Sequence, residues 1–309
     1  MNLEIKTNNY IHLPNFIDSD TAKQLAIEFK EFTINNQSIG DEQAPNSSVE
    51  YNYISFLELL CEKTPEVSKF LGEKVLPTYS YARVYKEGSD LKNELIVISG
   101  HYDHLGIRDK KVYNGADDNG SGTSALLELA RIFQQAKKDG KGPRRSILII
   151  AFSGEEKGLL GSEYYTSNPV FPIVNTVCDL NIDMIGRIDE KHATGDYVYL
   201  IGSDKLSSQL HALSEKVNAT YTKLELDYTF NDKNDKNRFY YRSDHYNFAK
   251  NGVPVIFYFN GVHADYHEPT DDVEKIDFEK IKKIAEFVFL TAWEIANKDE
   301  RLVVDSNKE

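Results

Sequence analysis

Length, composition and charge exclude several classes of protein. The chain has 309 residues, 40% of them hydrophobic, which suits one large α/β domain or a domain with an appendage. A formal charge of −13 argues against nucleic acid or anionic membranes as partners, and no apolar run reaches the roughly 18 residues of a membrane span. Two cysteines, Cys61 and Cys178, are too few for a disulfide framework or a thiolate metal site.

The first 77 residues carry no recognisable chemistry. Helices are predicted at 20–33 and 53–61, separated by a polar loop. Residues 1–16 lack the apolar core of a secretory signal. We interpret 1–77 as a separate N-terminal segment, either an edge cover for the main domain or the remnant of an additional domain.

From residue 78 onward, strands alternate with helices. Strands are predicted at 79–85, 94–99, 147–152, 176–182, 197–201 and 255–259, and helices at 120–138, 206–218, 244–250 and 278–297. Strand 147–152 is apolar throughout, as expected when both faces are covered. The alternation predicts an α/β domain over 78–309, in which a mostly parallel central sheet is flanked by helices in three layers.

Several predicted strands are followed closely by acidic or imidazole side chains. His101, the Glu155–Glu156 pair and Asp183 follow strands directly, and His267 comes after a longer loop. Functional groups collect at the carboxyl ends of strands in sheets of this kind. Since carboxylates and imidazoles are the ligands that zinc takes, these positions predict a divalent metal site.

Five blocks carry a resemblance to a known family. They are HYDHLG at 101–106, NGADDNGSG at 114–122, SGEEKGLLGSEYY at 153–165, NIDMIGR at 181–187 and YHEPTDD at 266–272. Their order and spacing resemble peptidase family M28, a family of zinc aminopeptidases. The resemblance implies a zinc-peptidase-like fold, two Zn²⁺ per chain (with Co²⁺ or Mn²⁺ as substitutes) and peptide substrates with a free N-terminus.

Matched block by block, the resemblance implies a ligand for each position. His101 and Asp183 match ligands of one zinc, Glu156 and His267 match ligands of the other, and Asp117 matches the carboxylate that bridges both. With one shared carboxylate, each metal has three protein ligands and an open position for a water held between them.

Two further residues match catalytic positions. Asp103 resembles the residue that orients the His101 imidazole, and Glu155 resembles the general base that acts on the shared water. The family also implies a cis peptide bond between Asp117 and Asp118. No substrate-binding residue is assigned by this match.

Other residues near these blocks have plainer interpretations. We expect His104 and His263 to be loop residues and His245 to begin a helix near the site. Residues 225–242 are predicted to form a mobile surface loop, with a lid as the alternative role. Three tyrosines are equally compatible with pocket lining and with packing: Tyr240, Tyr241 and Tyr266.

The expected function is that of a dinuclear-zinc metallo-aminopeptidase, an exopeptidase that removes N-terminal residues from peptides. Two alternatives stay open: a single-zinc enzyme similar to glutaminyl cyclases, and a non-catalytic binding module on the same fold. Nucleic acid and membrane are not expected as partners. Because relatives are commonly exported, we expect a periplasmic or extracellular location with a leader absent from this sequence, and a cytoplasmic location stays open.

Overall fold

The computed structural model describes residues 81–306, where nine strands and five α-helices alternate. The strands are β1 Tyr81–Lys86, β2 Leu91–His101, β3 Gly106–Arg108, β4 Lys111–Tyr113, β5 Arg145–Phe152, β6 Thr176–Ile182, β7 Tyr197–Ile201, β8 Glu225–Asp227 and β9 Val255–Phe259. The helices are α1 Gly122–Lys138, α2 Leu160–Ser167, α3 Ser208–Val217, α4 His245–Ala249 and α5 Phe278–Asn297. The predictions for 1–77, including its two helices, lie outside the described residues.

Seven strands form one mixed sheet in the order β1-β5-β2-β6-β9-β7-β8, and β3 and β4 form a separate hairpin. The four central strands β5, β2, β6 and β9 run parallel to one another. β1 pairs antiparallel with β5, and β7 pairs antiparallel with β9 and parallel with β8. The predicted fold class, a three-layer α/β domain with a mostly parallel sheet, is confirmed.

Both faces of the sheet are buried under helices. In β2, Ile96 and Ile98 face a core shared with α1, α3 and α5, while Leu95 and Val97 face the core that contains residues of α2 and α4. A strand whose successive side chains enter two different cores must be apolar on both faces, which explains the continuous hydrophobic runs in the sequence.

The region 225–242 is a surface loop, as predicted, only in its middle, where residues 232–238 are mostly exposed. It begins with the short strand β8, and Phe230 and Phe239 are only 7% and 6% exposed. Their rings pack on each other with centroids 4.7 Å apart, and Phe239 also packs on Phe259 of β9. Burial of these aromatic side chains anchors the segment to the sheet.

The topology brings the predicted functional residues to one edge of the sheet. His101 is the last residue of β2, Asp183 directly follows β6, and Glu155 lies three residues beyond β5. Because β5, β2, β6 and β9 are parallel neighbours, their carboxyl ends meet along that edge. Among the helices of the described residues, none has the length and apolar character needed to cross a bilayer.

Candidate metal centre and active site

Two groups of metal-type ligands share the carboxylate of Asp118. The first group consists of His101, Asp118 and Asp183, and the second contains His104, Asp118 and Glu156. Within each group the candidate ligand atoms lie within 4.8 Å of one another. Neighbouring sites joined by one carboxylate are the arrangement that holds two divalent cations in hydrolases.

In the first group, the imidazole of His101 faces two carboxylates. Its Nε2 lies 3.3 Å from Asp118 Oδ1 and 3.3 Å from Asp183 Oδ1. Its Nδ1 contacts the backbone carbonyl of Asp103 at 3.0 Å. The other oxygen of Asp183 accepts a hydrogen bond from Ser243 Oγ at 2.7 Å, which turns Oδ1 toward His101.

Glu156 of the second group lies between two imidazoles, that of His104 in the same group and that of His267 outside it. His267 Nε2 is 3.2 Å from Glu156 Oε2 and 3.0 Å from Asp118 Oδ2. His104 Nδ1 is 2.8 Å from Glu156 Oε1 and 3.9 Å from Asp118 Oδ2. The structure therefore brings together four of the residues that the sequence nominates as ligands: His101, Glu156, Asp183 and His267.

The position of the shared carboxylate differs from the prediction by one residue. Asp117 is fully buried away from both groups: its Oδ1 accepts the Gly186 N–H at 2.6 Å, and its Oδ2 lies 3.1 Å from His263 Nε2. Asp118 occupies the place expected for Asp117. The cis peptide bond is displaced in the same way and joins Asp118 to Asn119.

Asp117 and its neighbours instead lock two loops together. The backbone N–H groups of Met184, Ile185 and Gly186 donate in turn to Asn119 Oδ1, Ser121 Oγ and Asp117 Oδ1. These bonds place the loop that carries Asp183 against the loop that carries Asp118. Because Asp117 is used in this contact between the loops, its carboxylate does not face the ligand groups. The adjacent Asp118 therefore provides the shared carboxylate.

Asp271 fixes the same loop from the opposite side. Its Oδ2 accepts the backbone N–H groups of both Asp117 and Asp118, at 3.0 and 3.1 Å. Burial raises the pKa of this carboxyl to about 6, and the nearby charge of Asp117 adds to the rise. Sequence reasoning assigned no role to Asp271, although it lies in the YHEPTDD block that supplies His267.

Asp103 has a different contact from the one predicted. Its carboxylate oxygen lies 3.7 Å from His101 Nδ1, which contacts the backbone carbonyl of Asp103 instead. The carboxylate accepts the backbone N–H groups of Glu155 and Glu156, at 3.1 and 3.4 Å. Asp103 therefore holds the turn that carries both glutamates, while its main chain orients His101.

Glu155 lies beside the first group and lines the same pocket as Asp118 and Asp183. Burial of its carboxyl raises its pKa well above the ordinary value, His101 opposes that rise, and Asp183 adds to it. A carboxyl in these surroundings binds a proton more readily than an exposed glutamate does, which is the property required of a proton acceptor.

The donor atoms at this edge fit divalent cations. Among the described residues, His101 Nε2, Asp183 Oδ1, Glu156 Oε1 and both ring nitrogens of His104 are buried without a hydrogen-bond partner. Buried polar atoms without partners are costly, and a cation bound in each group would satisfy His101 Nε2, Asp183 Oδ1, Glu156 Oε1 and one ring nitrogen of His104. The mixed imidazole and carboxylate set is the chemistry that zinc takes.

The electrostatics of the site favour positive charge. Burial alone would lower the pKa of His267, but its contacts with Asp118 and Glu156 raise that pKa to about 9. Burial would likewise lower the pKa of His101, and the charges of Asp183 and Glu155 raise it well above its usual range. Surroundings that stabilise imidazolium ions also stabilise metal cations.

A pocket opens next to the two groups. Its lining comprises Asp118, Glu155, Asp183, Met184, Phe239, Arg242, Phe257, Phe259, Tyr266 and His267. The lining thus combines apolar, largely aromatic side chains with the candidate metal ligands. Tyr266 stacks on the His267 ring with centroids 3.9 Å apart and accepts a hydrogen bond from Arg242 Nη2 at 3.1 Å.

Of the remaining sequence candidates among the described residues, only Tyr266 lies next to the ligand groups. His245 is the first residue of α4 and stacks on Phe257, and burial lowers its pKa to about 3. Tyr240 is buried and is absent from the pocket lining, as is Tyr241, whereas Tyr266 lines the pocket. Cys178 is a free, buried thiol in β6, and burial raises its pKa.

Comparisons with known proteins identify relatives of the chain. The family model described as peptidase family M28 matches residues 82–292. Aminopeptidase YwaD of Bacillus subtilis is 28% identical over 224 residues, which are 70% of this chain and 44% of that protein. The chain therefore spans less than half the length of that relative.

Solved structures share the fold. BSAP, a zinc aminopeptidase from Bacillus subtilis, superposes with a TM-score of 0.58 at 25% identity, over 74% of this chain and 53% of that one. The glutaminyl cyclase of Porphyromonas gingivalis superposes with a TM-score of 0.62 at 18% identity, over 90% of this chain and 98% of that one, which shows the fold alone. On the match of the family model across residues 82–292, which include every ligand described above, the chain belongs to peptidase family M28.

Proposed function

We propose that the protein is a dinuclear-zinc aminopeptidase that removes N-terminal residues from peptides. One observation carries the proposal: two ligand groups share Asp118 at the carboxyl edge of the sheet, and Glu155 lies beside them. The family and the named relatives support hydrolysis of peptide bonds. The count of two zinc ions and the role of Glu155 are what the family resemblance implies, and the arrangement of the two groups supports them.

The residues that would hold the cations follow from the contacts. His101 and Asp183 would hold one zinc, Glu156 and His267 the other, and Asp118 both. Zinc bound there supplies a Lewis acid for the scissile carbonyl and lowers the pKa of a bound water to about 7.

The side chain of Glu155 transfers the proton in this mechanism. Glu155, which lies beside the first group, accepts the proton released as water attacks the carbonyl carbon and returns it to the departing amine nitrogen. Asp103 holds the backbone of Glu155 and thereby fixes where this carboxyl sits. Positioning of this kind brings the transfer within hydrogen-bond reach.

The pocket indicates how the substrate would lie. The free amine would be attracted by the acidic groups of the site, and the first side chain would rest on the apolar wall formed by Met184, Phe257 and Phe259. This arrangement favours peptides with an unblocked N-terminus and an apolar first residue. An acylated N-terminus would present no charge to the carboxylates.

The first test is a panel of chromogenic amino-acid amides on the zinc-loaded protein, with Glu155→Gln as the variant. We expect the variant to retain both zinc ions, because Glu155 is outside the ligand groups, and to lose about 10²- to 10⁴-fold in kcat. Elemental analysis of the protein measures the zinc content, and steady-state kinetics measures kcat.

Three outcomes would contradict parts of the proposal. Unchanged turnover in Glu155→Gln would remove this residue from the role of base. One tightly held zinc per chain, together with cyclisation of N-terminal glutamine, would indicate the cyclase alternative. If the zinc-loaded wild type hydrolyses none of the amides in the panel, so that adding chelator changes nothing, the protein would be a binding module.

A further inference from the structure

We propose that His104 is a fourth protein ligand of the second zinc, alongside Asp118, Glu156 and His267. The inference rests on the proposed dinuclear site and refines it. It makes the two cation sites unequal, since the first keeps three protein ligands: His101, Asp118 and Asp183. The family match assigned no role to His104, which we expected to be an ordinary loop residue.

The first argument is the place of the imidazole. His104 Nδ1 lies 2.8 Å from Glu156 Oε1 and 3.9 Å from Asp118 Oδ2, so it faces the two carboxylates that His267 also contacts. The His104 and His267 rings are arranged edge to face with centroids 5.9 Å apart. Both imidazoles thus converge on the same pair of carboxylates.

The second argument is burial without hydrogen bonds. The His104 side chain is 6% exposed, and neither ring nitrogen has a hydrogen-bond partner in the part of the chain that the structure describes. The contact with Glu156 is short but poorly aligned as a hydrogen bond. A buried imidazole in this condition is costly unless something binds its nitrogen, and a cation between His104 and Glu156 would do so.

The third argument is the space made for the ring. Gly115 has a φ of +62°, and a Cβ at this position would lie 2.5 Å from Cγ of His104 and 2.4 Å from the carbonyl oxygen of Asp118. Glycine therefore permits both the left-handed turn and the close approach of the imidazole. The loop is shaped to hold His104 against the second group.

Unequal ligand sets have a chemical consequence. Two imidazoles and two carboxylates bind the second cation, while one imidazole and two carboxylates bind the first. The additional nitrogen ligand makes the second site the tighter one for zinc. We therefore expect stepwise zinc binding, in which the first-group site fills last and exchanges its metal more readily.

The test is calorimetric titration of the full chain with zinc, using His104→Phe, Asp183→Asn and the double variant. Phenylalanine keeps a ring against Gly115 but has no ligand atom. We expect His104→Phe to weaken one binding step by at least about 10- to 100-fold and Asp183→Asn to weaken the other. The double variant should weaken both steps. His211→Ala, a histidine on α3 remote from the site, is the matched control.

A second readout excludes a merely structural effect. The visible absorption of the Co²⁺-loaded protein depends on the ligands of the metal, so His104→Phe and His104→Ala should both change it in the same way. Zinc binding and Co²⁺ spectra equal to those of the wild type would overturn the proposal, as would a double variant that matches Asp183→Asn.

The outcome is separable from the proposed function. Loss of one binding step in a protein without peptidase activity would leave the ligand assignment standing and refute the aminopeptidase. If His104→Phe binds zinc normally and the wild type hydrolyses amides, the ligand assignment is refuted and the aminopeptidase proposal stands.

Discussion

At the scale of single residues, the adjacent Asp117 and Asp118 have different roles. Asp118 faces both ligand groups, where burial opposes its ionisation, but contacts with His101 and His267 outweigh burial and lower its pKa. Asp117 points away and joins Gly186 to His263. Identical side chains are therefore distinguished only by the direction in which the backbone presents them.

Substitution of these two residues separates their roles. We expect Asp118→Asn to remove both zinc ions and all activity, because the shared carboxylate belongs to each group. Asp117→Asn should retain zinc but melt at a lower temperature, since it weakens the bond to Gly186 by roughly 1–3 kcal/mol. Zinc content and thermal melting of both variants provide the measurement. Retention of two zinc ions by Asp118→Asn would restore Asp117 as the bridging residue.

The sequence predicts the site residues only as far as periodicity and motifs reach. His101 ends β2 and Asp183 directly follows β6, so the direction of these strands fixes where their side chains emerge. Glu156 lies in a short 3₁₀ turn and His267 in a loop, and both are identified through the sequence motifs. Asp118 and Asn119 have non-helical φ and ψ values within an irregular turn. In such a turn, no repeating pattern in the sequence indicates which of the two neighbouring aspartates faces the site. The same limit hid His104, whose direction depends on packing over Gly115.

At the scale of the element, β6 joins the core to the site. It is buried along its whole length between β2 and β9, yet it carries Asp179 and Asn181. Ser99 Oγ of β2 donates to Asp179 Oδ1 at 2.7 Å and also lies 3.0 Å from Asn181 Oδ1. Asn181 donates to Ser243 Oγ, which in turn donates to Asp183. A chain of hydrogen bonds thus runs along the strand to the ligand.

The bounds of β6 were predictable, but the function of its polar residues was not. The alternation of strands and helices correctly places residues 176–182 in a strand. Whether a carboxyl in such a strand is satisfied depends on residues of other elements, here Ser99 and Ser243, and these are distant in the sequence. The local sequence pattern therefore predicts the strand, and tertiary contacts determine whether its carboxyl has a hydrogen-bond partner.

Asp179 makes the stability of the fold depend on pH. Burial raises the pKa of Asp179 well above its ordinary value. The folded chain therefore keeps a proton that the unfolded chain releases above about pH 4, so this group lowers stability as pH rises from there. Asp179→Asn removes the dependence. We expect the variant to melt several degrees higher than the wild type at pH 7, with the difference closing toward pH 4.

The control for this prediction is Asp109→Asn. Asp109 is exposed at the tip of the β3–β4 hairpin, and its φ of +50° is one that asparagine tolerates. This substitution should not change melting by more than about 0.5 kcal/mol at either pH. A lower melting temperature of Asp179→Asn at pH 7 would mean that the ionised carboxylate stabilises the fold.

At the scale of the whole molecule, part of the acidic charge lies where cations would bind. The chain carries a net charge of −13, and five carboxyl groups meet at one edge of the sheet. They are Asp103, Asp118, Glu155, Glu156 and Asp183. Like charges brought together with partial burial oppose folding, and cations bound among them reverse that effect.

Zinc should therefore stabilise the fold as well as support catalysis. At a free zinc concentration 100-fold above Kd, each site adds about 2.7 kcal/mol to the free energy of unfolding, which corresponds to roughly 5–10 °C in Tm. Thermal melting with added zinc and then with chelator measures the shift, which should be reversible. Asp118→Asn, which lacks the shared ligand, should melt at the same temperature in both conditions. If added zinc does not change the Tm of the wild type, these carboxylates do not bind zinc in the folded chain.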